Sequence, residues 1–72
     1  MSEVRMFHHQ LRNARKFWEM TQAELAEKAG LQTSAISHFE SARRRPSLKN
    51  ICRLATALNC SVDYLLGRKA QP

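Results

Sequence analysis

The sequence predicts an all-α domain of five short helices, and three observations carry that expectation. Apolar residues recur at steps of three and four along most of the chain. No segment alternates β-branched and polar residues over a strand's length. Gly30, Pro46, Asn59 and Gly67 fall between the apolar stretches, where short turns would connect helices. Seventy-two residues allow one domain with a marginal core, so each helix must contribute to it.

Val4, Phe7, Leu11, Ala14 and Trp18 mark the inner stripe of a first helix. Thr21-Gln22-Ala23-Glu24 fits a capping box that starts a second helix, with Met20 and Leu25 at the staple positions on either side. Leu25, Ala26 and Ala29 form its stripe, and Gly30 suits a left-handed end. A third helix starts at once, with Gln32 as its cap and Leu31 and Ile36 stapling across it. So tight a turn makes the two helices cross steeply, the geometry of a helix-turn-helix. Pro46 breaks the basic loop that follows, and Ser47 caps a fourth helix with Leu48, Ile51, Leu54, Ala55 and Leu58 on one side. Asn59 ends it in a left-handed conformation. Ser61 caps a fifth helix carrying Val62, Leu65 and Leu66, with Asp63 at its positive end, and Gly67 closes it. The whole chain, 1–72, is expected to form a single domain with its core over 4–67. The helix-turn-helix spans about 22–41, and 68–72 form a frayed tail.

Twelve Lys and Arg against six Asp and Glu leave a net charge of +6, which favours a polyanionic partner. The excess is uneven. Residues 21–41 hold one Lys and three Glu, whereas 42–72 hold seven basic residues and one acid. Cations flanking the helix pair suit a division in which they grip phosphates while the pair reads bases. Cys52 and Cys60 have no zinc-ligand spacing, and Cys52 falls in an apolar pattern as a small core residue. His8 and His9 are adjacent, point about 100° apart on a helix, and make a poor metal pair. No apolar run reaches membrane-spanning length and none resembles a signal peptide, so the expected location is cytoplasmic. No paired acid and base, glycine-rich phosphate loop or metal signature is present, and no enzyme, cofactor or small-molecule ligand is expected.

On the third helix, Ala35, Ile36 and Phe39 share one arc, and Thr33, Ser34, Ser37, His38 and Ser41 share the other. The second arc is small, polar and lacks the Glu and Lys of an ordinary solvated face. Hydroxyls and an imidazole can bond base edges at close approach, and the competing description is a serine-rich solvated surface. Thr33, Ser34, Ser37 and His38 are therefore the candidate base readers. Gln22, Ser41, Arg43, Arg44 and Arg45 are the candidate phosphate contacts, against a competing description as solvated polar groups. Arg15 and Glu40 are expected to form a partly buried ion pair. Phe7, Trp18 and Phe39 fall on core arcs and Phe17 lies off them. Tyr64, Leu65 and Leu66 either finish the core or join a dimer contact.

These residues resemble the Cro/CI-type helix-turn-helix domain of phage repressors and restriction-modification controller proteins, a lambda-repressor-like fold also called the XRE family. The resemblance runs from Leu11 to Leu66. It rests on Thr21-Gln-Ala-Glu-Leu-Ala, the turn glycine, Ile36-Ser-x-x-Glu40, Arg45-Pro-Ser and Ser61-Val-Asp-Tyr-Leu-Leu. It implies that the third helix is the recognition helix and that Gln22 contacts phosphate while orienting a neighbour on that helix. It places Thr33, Ser34 and His38 at base-reading positions, with Ser37 close by, and matches Arg15 and Glu40 to a structural ion pair. It implies a transcriptional regulator, a homodimer acting on a (pseudo)palindromic double-stranded DNA operator. The alternative within the same fold is an antitoxin or protein-binding adaptor. One departure stands out: Ala42 occupies a position that is usually glycine. Left-handed backbone there would cost an alanine roughly 1–2 kcal/mol.

Overall fold

The computed structural model describes residues 6–68, and within them the chain forms five helices. These are α1 (Phe7–Phe17), α2 (Gln22–Ala29), α3 (Thr33–Glu40), α4 (Leu48–Ala57) and α5 (Val62–Leu65). Val4 and residues 69–72 lie outside the described residues, and so do the expectations that rest on them.

The capping signals act as the sequence indicates. Thr21 Oγ1 accepts from Glu24 N–H at 3.0 Å, and Glu24 Oε1 accepts from Thr21 N–H at 2.8 Å. The hydrogen bond from the Thr21 backbone N–H, and after it the Thr21 side chain, hold the Glu24 carboxyl below the usual carboxylate range. Ser47 and Ser61 cap α4 and α5 in the same way, accepting from Asn50 N–H and Tyr64 N–H. Gln32 caps α3 without a side-chain hydrogen bond. Gly30 ends α2 at φ 71°, and Asn59 follows α4 at φ 50°. Ala42 stays left-handed, at φ 61°, so the loop keeps its shape despite the missing glycine.

The core gathers one stripe from each helix. Phe7, Leu11 and Ala14 meet Leu25, Ala26, Ile36, Phe39, Ile51, Leu54, Leu58 and Leu65, all buried. The Phe7 and Phe39 rings meet edge to face, with centroids 6.1 Å apart. Tyr64 and Leu65 are buried and Leu66 packs against them, so the fifth helix completes the core. Burial pushes the Cys60 thiol above its ordinary range, and Tyr64 moves up for the same reason.

Three expectations about the core are corrected, all for positions at a helix end or on a stripe's edge. Trp18 is 45% exposed. It falls one residue beyond α1, where the chain turns into the left-handed Glu19 at φ 54° and helical periodicity no longer sets its direction. Its indole N–H donates to Leu58 O at 2.6 Å and ties the end of α1 to the end of α4. Leu48 opens α4 and is 70% exposed, because the core begins one turn later at Ile51. Cys52 is exposed, since one step past Ile51 rotates it out of the stripe. Phe17 is exposed, as its place off the stripe indicates. At the end of α5 the Arg68 N–H donates to Asp63 O at 2.8 Å.

Candidate nucleic-acid interface

The helix pair α2–α3 supplies the candidate site, and its geometry starts from Gly30. Leu31 N–H reaches back to Ala26 O at 2.8 Å across the left-handed glycine. Only three residues, Gly30, Leu31 and Gln32, separate the end of α2 from the start of α3. With no side chain to clash, Gly30 makes this reversal cheaply.

The inner face of α3 is fixed by packing and by charge. Ala35, Ile36, Phe39 and Glu40 are buried. Glu40 lies at 2% exposure because Arg15 of α1 meets its carboxylate with both arms of the guanidinium. Arg15 Nε donates to Oε2 at 2.6 Å and Nη2 donates to Oε1 at 2.9 Å. Arg15 Nη1 also donates to Met20 O at 2.8 Å, so one side chain joins α1, the α1–α2 turn and α3. The hydrogen bonds from Arg15 to Glu40 raise the Arg15 pKa further, against an opposing effect of burial. Two further contacts to Glu40 specify partners that the sequence did not name. Gln22 Nε2 donates to Glu40 Oε1 at 3.2 Å, so the amide is coupled to the ion pair rather than simply exposed. Arg12 Nη2 donates to Glu40 O at 3.3 Å. Its spacing of three residues from Arg15 was the available signal, since it puts both guanidinium groups on one face of α1.

The outer face is the reverse. Thr33, Ser34, Ser37 and His38 are all exposed, and none of their side-chain polar atoms takes a hydrogen bond within the described residues. Ser41 is exposed and its hydroxyl donates to His38 O at 3.3 Å. Arg43, Arg44 and Arg45 follow directly and are exposed. They differ in freedom, because the Arg44 guanidinium lies 5.5 Å from the centre of the Phe39 ring and is steered by it. The left-handed Ala42 turns the chain so that Arg43 N–H bonds back to His38 O at 2.9 Å, which sets this basic segment beside the end of α3. The structure thus brings the expected base readers onto one face, with the expected phosphate groups at its end and at the start of α2.

No group of three or more His, Cys, Asp or Glu side chains among the described residues is placed to hold a metal ion. No helix among them is long and apolar enough to cross a membrane.

Comparison with known proteins places this geometry in a defined group. The helix-turn-helix family profile matches residues 11–65. The cryptic phage CTXphi transcriptional repressor RstR of Vibrio cholerae is 37% identical over 60 residues, which cover 83% of this chain and 54% of that protein. The chain spans little more than half the length of such curated relatives. The restriction-modification controller protein C.AhdI of Aeromonas hydrophila superposes with a TM-score of 0.82 at 35% identity, over 86% of this chain and 94% of that one. The c2 repressor of Salmonella phage P22, crystallised with a synthetic operator, gives 0.82 at 34% identity over 90% of this chain and 98% of that one.

Proposed function

The chain belongs to the Cro/CI-type helix-turn-helix family, and from that premise we propose that it is a sequence-specific regulator of transcription that binds double-stranded DNA. Its recognition helix, α3, enters the major groove with Thr33, Ser34, Ser37 and His38 toward the base edges. Gln22, Ser41 and Arg43–Arg45 hold phosphates on either side. The observation that carries this reading is the outer face of α3: four exposed polar side chains with no partner inside the described residues, backed by a helix locked to the core. An adaptor that docks protein through this face would present large apolar residues there, and this one presents hydroxyls and an imidazole.

The working form is a homodimer on a pseudo-palindromic operator, with half-sites about 34–36 Å apart. The longest dimension of the domain, 30 Å, is commensurate with that spacing when two copies lie side by side. The activity is binding alone, without catalysis, and the site of action is cytoplasmic. Selection of bound duplexes from a random pool tests the reading. The expected product is a motif repeated with inverted symmetry, at a spacing of one helical turn. Selected pools without a shared motif would refute it. In a salt series, Arg43→Ala should weaken binding to every sequence by a similar factor and flatten the salt dependence.

A further inference from the structure

Two guanidinium groups stand against the single buried carboxylate of Glu40. Arg15 takes that carboxylate at 2.6 Å and its side chain is only 14% exposed, so this pair neutralises itself. Arg12 lies one turn earlier on α1, with Nε 3.8 Å from Glu40 Oε1 and a side chain that is 46% exposed. The cluster therefore carries a surplus positive charge, and the surplus sits on the side chain that reaches solvent. The negative end of α3, which Arg12 meets through Glu40 O, offsets about half a charge.

Gln22 Nε2 donates to the same oxygen, Glu40 Oε1, at 3.2 Å. Arg12 Nε and Gln22 Nε2 lie 3.8 and 3.2 Å from this one oxygen, so the two nitrogens are no more than 7.0 Å apart. One phosphate can reach both of them at ordinary hydrogen-bond lengths of about 2.9 Å. Within the described residues Arg12 spends only an Nη2 hydrogen on Glu40 O, which leaves the outer edge of its fork for a paired contact with an anion.

We propose that Arg12 and Gln22 form a phosphate clasp, in which Arg12 supplies the charge and Gln22 the second donor. This inference rests on the DNA-binding reading and adds a cation from α1 to the basic groups that follow α3. Held by Glu40, the clasp is set before DNA arrives, so it needs less ordering than the arginine loop does. It raises affinity for all sequences alike and carries no sequence information.

Affinity of the full chain for its best-selected duplex and for an unrelated duplex, measured at several salt concentrations, tests the clasp. Arg12→Gln should weaken both by a similar factor and lower the slope of log affinity against log salt by about 0.9, while Arg12→Lys keeps the slope. A wild-type slope in Arg12→Gln overturns the clasp and leaves Arg12 as a structural cap on α3. Titrating the wild-type chain with the duplex gives a second readout that does not depend on any variant folding. The Arg12 Nε–H signal should move on binding, and an unmoved signal in a saturated complex overturns the clasp. Wild-type protein that binds no selected duplex would instead sink the DNA reading itself, before any variant is made.

Discussion

On its inner side α3 presents Ile36 and Phe39 at 0% and 1% exposure, and Glu40 locked to Arg15 at 2.6 Å. On its outer side, separated by half a helical turn, Thr33, Ser34, Ser37 and His38 stand in solvent. The inner face spends hydrophobic burial and an ion pair to fix where the helix sits. The outer face adds little to stability, and its residues are free to be chosen for what they touch. A helix of eight residues can therefore be altered on one side for recognition while the other keeps the fold.

The largest expected effect is on the inner face. Phe39→Ala removes the ring that meets Phe7 and underlies Arg44, and should cost about 3–5 kcal/mol in urea unfolding. In a domain this small that is a large part of the total stability. A loss well below 1 kcal/mol would mean that the inner face does not hold the helix. Next come Thr33→Ala, Ser34→Ala and His38→Ala. Each should leave stability within about 0.5 kcal/mol and shift the preferred base at its contact by about 1–3 kcal/mol. Variants that lose affinity equally on all duplexes would erase the distinction between the faces.

Ala42→Gly is the third. It relieves the left-handed strain at φ 61° and should raise stability by about 1 kcal/mol with the base preference unchanged. A changed preference would tie the loop to base reading. The smallest effect is that of Glu24→Gln, at the start of α2. The Glu24 pKa is lowered in the fold, so its contribution is full above the unfolded carboxylate pKa and lost as pH falls through the folded value. The variant should flatten the acid limb of the stability–pH profile without altering which duplex is preferred. An unchanged acid limb would show that the capping box is not titrating.

The elements legible in the sequence were those with local chemical signals. Thr21 with Glu24, Gly30, Ser47, Asn59 and Ser61 each announce a helix end through their own side chain or backbone preference, and each stands where it is expected. The two arcs of α3 were legible because helical period alone separates them. Trp18 and Leu48 were misread because period predicts direction only inside a helix, and both lie at an end. Cys52 was misread because a stripe drawn one residue too wide includes it. The coupling of Gln22 and Arg12 to Glu40, and of Arg44 to Phe39, is tertiary. It joins residues between 5 and 28 positions apart, and the three-residue spacing of Arg12 and Arg15 puts both on one face of α1 without specifying their partner.

Titration of isotopically labelled protein with its best-selected duplex separates the two faces of α3 in a single experiment. Backbone and side-chain signals from Thr33, Ser34, Ser37 and His38 should move on binding, while the methyl signals of Ile36 and Leu65 in the core stay in place. A saturated complex in which the signals from Thr33 to His38 do not move would contradict the account, because the duplex would then be held by some other surface.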